Sequence, residues 1–231
     1  MNDRSHFLKE LEDLKLTLLN MAAMTRTALE KANTACLERN EALAQAVIDD
    51  DRLVNAIELK LDQKALKLLA LEQPMAKDLR FIVGVMRISN ELERIADQAV
   101  NIAERTLFLS QHPPLEPVPS LERLMETTDK MLNMAISSFM NEDFDQAIGV
   151  RMMDDMADQY TLEVLQAMIL YMVKSTPATE KRILNTRRSI QTIIISRCLE
   201  RAADLSTNIG EHVAFIVKGI NIKHQKVEMG T

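Results

Sequence analysis

The residues best suited to chemistry in this chain are carboxylates that occur twice in the same pattern. The segment Glu93–Glu104 recurs as Glu200–Glu211, with seven of its twelve residues identical at an offset of 107 residues. On a helix, which turns by about 100° per residue, Glu93, Asp97 and Glu104 lie within about 40° of one another. Carboxylates four residues apart repel each other, so a cation is expected beside them. The pattern therefore predicts either arginine ion pairs or a bound metal ion along this face.

Carboxylate and amide oxygens on successive helical turns form the donor set that hard divalent cations prefer. Two residues of each copy are the primary candidate ligands: Glu93, Asp97, Glu200 and Asp204. The secondary candidates come from two places. Asn101, Glu104, Asn208 and Glu211 follow the primary residues within the two copies. Asp50, Asp51, Asp154, Asp155 and Asp158 belong to acidic clusters of the middle helix of each half, which we pair at an offset near 104. Ligand hardness favours Mg²⁺ or Mn²⁺, with iron or zinc as alternatives.

An ordinary solvated face is the other explanation for the same residues. Arg94 and Arg201 stand directly beside the motifs and could neutralise them as exposed ion pairs, each of which contributes little stability. A single Glu-x-x-x-Asp on a helix would normally be such a face. Duplication of the extended pattern favours a site, but spacing alone leaves both explanations open.

Signatures of other chemistry are missing from the sequence. It has no Gly-rich phosphate loop, no Gly-x-Ser-x-Gly turn and no Glu-x-x-His pair of the di-iron type. The four histidines are scattered without metal-site spacing. Cys36 and Cys198 lie in apolar helical contexts, which indicates small core residues in a reducing compartment. We therefore expect no catalytic centre.

Composition indicates long helices in a soluble protein. Of the 231 residues, 47% are hydrophobic and 27% are charged, with only 5 glycines and no tryptophan. The net charge of −6, without a large basic cluster, argues against a nucleic-acid partner. The first residues are too polar for a secretory signal, and no apolar run approaches the ~20 residues of a membrane span. We expect a cytoplasmic protein that does not insert into the membrane.

Prolines divide the helical pattern into two halves. Four of the six prolines lie between residues 113 and 119, where no helix can continue, and Pro74 and Pro177 are expected to start new helices. The predicted helices span 4–38, 41–71, 75–110, 120–140, 143–174 and 178–219. The fold class is therefore all-α, with two tandem, internally repeated three-helix bundles. The predicted domains are a first repeat at 1–111, a Pro-rich linker at 112–119, a second repeat at 120–221 and a polar tail at 222–231.

The two motifs resemble those of a known family. Leu92–Asp97 and Leu199–Asp204, each followed by Asn-Ile-x-Glu, are similar to the paired metal motifs of the PhoU family. The segment Val47–Asp51, with the later Gln73-Pro74, is also similar to the first half of that family, and the likeness extends from about residue 6 to residue 220.

The chain departs from the usual Glu-Arg-Ile-Gly-Asp-His form of the motif at two positions. Ala96 and Ala203 stand in place of the glycine, and Gln98 and Leu205 in place of the histidine. An alanine thickens the helix at a point of close packing, and loss of the histidine removes a nitrogen ligand.

The resemblance implies paired three-helix bundles, often dimeric, with multinuclear metal sites on Glu93, Asp97, Glu200 and Asp204. It also implies a negative regulator of the phosphate-starvation response. Such a regulator links the ATP-binding subunit of the high-affinity phosphate transporter to a membrane sensor histidine kinase, and it is no enzyme. Two other functions stay open, namely a bundle for metal storage or metal-dependent phosphoester hydrolysis, and a helical scaffold without metal.

Overall fold

The chain folds into helices joined by short connections. A computed structural model describes residues 2–174, 179–220 and 222. The helices are α1 (Asn2–Glu38), α2 (Glu41–Glu72), α3 (Ala76–Ser110), α4 (Pro119–Asn141), α5 (Phe144–Arg151), α6 (Asp154–Lys174) and α7 (Thr179–Lys218). Because these described ranges contain no strand, the all-α prediction is confirmed. No helix within them is both long and apolar enough to cross a membrane.

Local side-chain chemistry explains several helix ends. The side chains of Asn40 and Asp143 accept hydrogen bonds from backbone N–H groups in the first turns of α2 and α5, as N-cap residues do. Pro119 occupies the first turn of α4, where its missing N–H group costs nothing. Pro74 precedes the N-cap of α3, so it ends a connection instead of opening the helix as predicted. Pro177 lies outside the described residues.

The prediction of one continuous helix over 143–174 is wrong. The chain leaves the helical path at Met152 and Met153, whose N–H groups bond to carbonyl groups three residues back at 3.2 and 3.1 Å. Hydrogen bonds between residues three apart in sequence tighten the last turn of a helix and end it. Asp154 and Asp155 then open α6, where negative charge is favourable at a helix N-terminus. α5 and α6 together replace the single predicted helix.

Each half of the chain forms its own three-helix bundle. In the first half α1, α2 and α3 pack against one another, and in the second half α4, α6 and α7 do so with the short α5 alongside. α3 packs along α7, and α1 touches α4, so the two bundles share one hydrophobic core. The predicted pair of repeated bundles is therefore confirmed.

One buried hydrogen bond occurs at the equivalent place in both halves. The Thr25 hydroxyl of α1 donates to the Leu92 carbonyl of α3 at 3.3 Å, and the Thr128 hydroxyl of α4 donates to the Leu199 carbonyl of α7 at 3.3 Å. Leu92 and Leu199 directly precede the repeated motifs. These bonds therefore help to set the rotation and height of each motif helix within its bundle.

Candidate metal centres

α2 and α3 bring three predicted carboxylates of the first half together. Burial raises the pKa of Glu93, and the negative charges of Asp97, Glu58 and Asp51 raise it further. Burial and the charge of Asp51 likewise raise the pKa of Asp97. Such mutual effects require carboxylates that face one another across the two helices. We call Asp51, Glu93 and Asp97 the first acidic cluster.

Glu58 extends the first acidic cluster and was missed by the sequence analysis. Its pKa is raised by burial first and then by the charges of Asp62 and Asp97, while a hydrogen bond with Asn90 lowers it. A signal was available, because Asp51, Glu58 and Asp62 follow one another at steps of seven and four residues, which places them on one face of α2.

α6 and α7 form a second acidic cluster, which contains Asp154, Asp158, Glu200 and Asp204. Burial raises the pKa of Asp154, and the charges of Asp204 and Asp158 add to that effect. Burial also raises the pKa of Glu200 and of Asp204, and Asp158 contributes to both. The Thr207 hydroxyl, which no sequence argument had singled out, donates to Asp154 Oδ1 at 3.3 Å.

Three carboxylates correspond between the two clusters. Asp51 with Asp158, Glu93 with Glu200, and Asp97 with Asp204 are each separated by 107 residues. The offset near 104 that we used for the acidic clusters of the middle helices does not relate these three pairs. The two halves thus repeat a constellation of residues from two helices as well as a stretch of sequence.

The clusters differ in the cations beside them. In the first half Arg94 pairs with Glu91 at 3.2 Å, so it does not form the predicted ion pair with the motif carboxylates. In the second half Arg197 pairs with Glu200 at 2.5 Å and Arg201 with Asp204 at 3.6 Å. Direct ion pairs between arginines and motif carboxylates therefore occur in the second cluster, whereas none to Glu93 or Asp97 occurs within the described residues. Arg94 acts on Glu93 only through its charge, which lessens the rise that burial causes in the pKa of that carboxyl.

The other secondary candidates of the first half lie apart from the cluster. Asp50 pairs with Lys31 of α1 at 3.3 Å. The Asn101 amide donates to the backbone carbonyl of Asp97 at 2.9 Å. Glu104 pairs with its neighbour Arg105 at 2.8 Å. Each of these side chains is therefore engaged elsewhere.

In the second half Asn208 hydrogen-bonds to Glu91 across the contact between α3 and α7. Glu211 lines a cleft between α2, α3 and α7. Asp155 is exposed and acts on Asp154 only through its charge. Asn208 and Glu211 therefore face the first half of the molecule, and none of the three candidates belongs to the second acidic cluster.

The positions where this chain departs from the usual motif contribute no donor. The Gln98 amide donates to the carbonyl of Arg94 on its own helix at 3.4 Å. Leu205 is fully buried, as are Ala96 and Ala203 at 1% and 0% exposure. The two motifs therefore offer no nitrogen ligand at these positions.

The chemistry of the first cluster fits a divalent cation. One oxygen of Asp51 accepts a hydrogen bond from the Asn55 amide at 2.8 Å, whereas Asp51 Oδ1 is buried without a hydrogen-bond partner. A buried carboxylate oxygen without a partner, beside Glu93 and Asp97, is a group that a bound cation would satisfy. In the ranges the structure covers, no three histidine, cysteine or acidic side chains converge closely enough to surround an ion as they stand. Binding would therefore require these side chains to move together.

The thiols do not complete a catalytic site. Burial raises the pKa of Cys36 and of Cys198 to about 11 each, so both are protonated near neutral pH.

A duplicated three-helix bundle with one carboxylate cluster in each half defines the class of protein. The family model of the PhoU domain matches this chain twice, over residues 18–106 and 121–213. The chain belongs to the PhoU family.

Curated relatives align along almost the whole chain. The "Phosphate-specific transport system accessory protein PhoU" of Escherichia coli K12 is 32% identical over 221 residues, which cover 94% of this chain and 88% of that protein. The "Phosphate-specific transport system accessory protein PhoU homolog" of Aquifex aeolicus is 31% identical over 220 residues, covering 95% and 96% of the two chains.

A solved structure has the same fold. The crystal structure of PhoU from Pseudomonas aeruginosa superposes with a TM-score of 0.86 at 29% identity, covering 93% of this chain and 100% of that one. The fold assignment therefore rests on comparison with experiment as well as on the helices described above.

Proposed function

We propose that this protein is a negative regulator of the phosphate-starvation response and of high-affinity phosphate uptake. It acts as an adaptor between the ATP-binding subunit of the phosphate transporter and a sensor histidine kinase. The observation that carries the proposal is the end-to-end match to accessory proteins of phosphate-specific transport systems.

The surface of the second bundle supports an adaptor role. α6 exposes Leu162, Leu165, Ile169 and Val173 at 53, 36, 46 and 77%. Their spacing of three, four and four residues puts them on one face of the helix. A continuous exposed apolar stripe is typical of a surface that binds another protein. In α2 of the first half, the residues that correspond to Leu165 and Ile169 at the 107-residue offset are the acidic Glu58 and Asp62. The apolar stripe is therefore a feature of the second half that these two positions of the first half do not share.

We also propose that each acidic cluster binds a divalent cation. Asp51, Glu93 and Asp97 would hold it in the first half, and Asp158, Glu200 and Asp204 in the second. A bound Mg²⁺ or Mn²⁺ would neutralise carboxylates that repel one another and would tie the middle helix of each bundle to the motif helix. The ion would thus act on the stability of the surfaces that partners contact.

A gene deletion tests the regulatory proposal. Cells that lack this gene should express phosphate-starvation genes in phosphate-rich medium, and the wild-type gene should restore repression. A pull-down with the tagged protein from phosphate-replete cells should recover the transporter ATPase or the histidine kinase. Unchanged reporter expression together with recovery of neither partner would contradict the proposal.

Metal titration of the purified, metal-free protein tests the clusters. Mn²⁺ should raise the melting temperature of the wild type saturably. Asp97→Asn removes repulsion with Asp51, so the metal-free variant should melt higher than the wild type and gain less from Mn²⁺. Elemental analysis of protein purified without chelator should give fewer bound ions for this variant.

Glu104→Gln is the matched control, because Glu104 lies on the same helix but pairs with Arg105 outside the cluster. It should keep the wild-type response to Mn²⁺. If the wild type gains no stability from Mn²⁺ or Mg²⁺, or if Glu104→Gln loses the response as Asp97→Asn does, the metal proposal is wrong.

A further inference from the structure

A small cavity lies beneath the Pro-rich connection between α3 and α4. Its volume is about 260 Å³, and its lining includes two arginines, Arg39 and Arg188. Arg39 follows α1 in the first half, and Arg188 belongs to α7 in the second. The cavity therefore receives one cation from each half of the molecule.

Arg188 is a buried cation whose hydrogen-bond acceptors, among the described residues, are all neutral. It is 5% exposed, and its Nη1 donates to the carbonyl groups of Pro113 and Pro114, the latter at 3.3 Å. Its Nη2 donates to Asn185 Oδ1 and, at 3.3 Å, to the Tyr171 hydroxyl. Its Nε is buried without a hydrogen-bond partner. No carboxylate of the described residues forms an ion pair with it.

Arg39 also donates its hydrogen bonds to neutral backbone carbonyl groups. Its Nη2 donates to the carbonyl groups of Leu109 at 2.7 Å and Ser110 at 3.3 Å, and also to that of His112. Within the described part of the chain, Nη1 and Nε make no hydrogen bond, and no carboxylate lies within ion-pair distance. Both arginines thus hold the connection, Arg188 through Nη1 and Arg39 through Nη2. Among the described residues, Arg188 is left with only its Nε–H group without an acceptor, and Arg39 with Nε and Nη1.

Carbonyl dipoles only partly offset a buried charge, and buried ions in proteins are normally paired. Two guanidinium groups that face one cavity, and that form no ion pair within the described residues, therefore indicate an anionic ligand. The cavity is smaller than the range of about 300–1,000 Å³ typical of organic ligands, which favours a compact ion. The N–H groups left without an acceptor, on Arg188 Nε and on Nε and Nη1 of Arg39, are charged donors of the kind that bind the oxygens of a tetrahedral oxyanion.

Two carboxylates also line the cavity. Glu116 and Glu122 are both exposed, so their repulsion of an anion is weakened by solvent and salt.

We infer that this cavity binds a small tetrahedral oxyanion, such as inorganic phosphate, between Arg39 and Arg188. The bound anion would bridge the end of α1, the connection and α7, and would therefore strengthen the contact between the two halves. This inference is argued from the contacts of Arg39 and Arg188 and does not depend on the regulatory proposal. The two tests are separate, because anion binding is measured on purified protein and regulation is measured in cells.

Calorimetric titration and thermal melting of the full chain test the site, with phosphate, sulfate and chloride compared at equal ionic strength. Phosphate should give saturable heat and a higher melting temperature, and chloride should give neither. Arg39→Gln should weaken phosphate binding at least tenfold. Arg39→Lys, which keeps the charge but not the separate nitrogens that hold the connection and face the cavity, should bind with intermediate affinity. Saturation by sulfate as well as phosphate would also support an oxyanion site, though one that does not select phosphate.

Arg187→Gln is the matched control, because Arg187 is an exposed neighbour of Arg188 on α7. This variant removes the same charge and should bind phosphate as the wild type does. Arg188→Gln should no longer bind phosphate. If that variant does not fold, phosphate binding by Arg39→Gln tests the inference. The inference is overturned if phosphate acts no differently from chloride on the wild type, or if Arg187→Gln weakens binding as much as Arg39→Gln.

Discussion

At the scale of single residues, the contact between Asn33 and Asp129 should respond to pH. The Asn33 amide of α1 donates to Asp129 Oδ1 of α4 at 3.1 Å, while Asn33 Oδ1 is buried without a partner. Burial raises the pKa of Asp129 to about 6, the hydrogen bond from Asn33 lowers it, and the charge of Glu30 raises it. The folded protein therefore holds a proton here that the unfolded chain releases near pH 4.

Asp129→Asn should stabilise the protein at pH 7.5 and change little at pH 4. The folded state binds the proton more tightly, so the wild type loses stability as the pH rises from about 4 through about 6. The variant removes that loss, and its new amide can donate to Asn33 Oδ1. We expect a gain on the order of 1 kcal/mol at pH 7.5, after allowance for solvent screening at this half-buried position. Urea unfolding at the two pH values measures it.

Glu126→Gln is the control for Asp129→Asn, since Glu126 is an exposed carboxylate of the same helix. Its effect should be small and nearly equal at both pH values. An equal gain for Asp129→Asn at pH 4 and pH 7.5 would mean that relief of ionisation is not the cause.

At the scale of helices, two glycines let α7 approach its neighbours. A Cβ atom on Gly84 of α3 would lie 2.3 Å from Ile216 Cγ1 of α7. A Cβ atom on Gly210 of α7 would lie 2.6 Å from the backbone oxygen of Ala147 in α5. A side chain can move away from such a contact more easily than a helix backbone can, so the two positions should differ.

Gly84→Ala should destabilise the protein by about 1–2 kcal/mol, and Gly210→Ala by about 2–3 kcal/mol. The overlap with Ile216 outweighs the gain of about 1 kcal/mol that alanine brings to a helix interior. In an Ile216→Ala background that overlap is gone, so Gly84→Ala should then stabilise by about 1 kcal/mol. Urea unfolding of the four proteins in this cycle measures the change of sign.

If Gly84→Ala lowers the free energy of unfolding equally in the wild type and in Ile216→Ala, the contact between α3 and α7 is not the cause. Gly210→Ala serves as the comparison, because its overlap is with α5 backbone and should persist when Ile216 is truncated.

At the scale of the whole molecule, the two halves are joined by the shared hydrophobic core and also by polar contacts between α3 and α7. His212 Nε2 of α7 lies 3.7 Å from Glu91 Oε1 of α3, with both side chains nearly buried. Arg87 of α3 lies over the ring of Phe215 of α7, 5.2 Å from its centroid. Separating the halves would expose these groups together with the packed faces of both helices.

We therefore expect the chain to unfold in a single transition, although chains of more than about 150 residues often do not. In differential scanning calorimetry the calorimetric and van't Hoff enthalpies should agree, and Gly84→Ala should shift the whole transition to lower temperature. Two resolved transitions, of which Gly84→Ala moves only one, would show that the halves are independent.

Much of this protein was predictable because it depends on local patterns. The periodicity of apolar residues indicated the helices, the prolines at 113–119 indicated the division, and the offset of 107 residues revealed the duplication. These features follow from the preferences of neighbouring residues on one chain segment. The roles of the primary carboxylates as metal ligands and the boundaries of the domains stay predictions.

The pairing between helices was decided only by the tertiary structure. Asp51 joins the first acidic cluster while its neighbour Asp50 pairs with α1, and Glu58 joins although no motif includes it. Arg197, and not only Arg201, neutralises the second cluster. A shift of one residue turns a side chain by about 100° on its helix. Which carboxylates meet therefore depends on the relative rotation of packed helices, which all the side chains in the shared core set together.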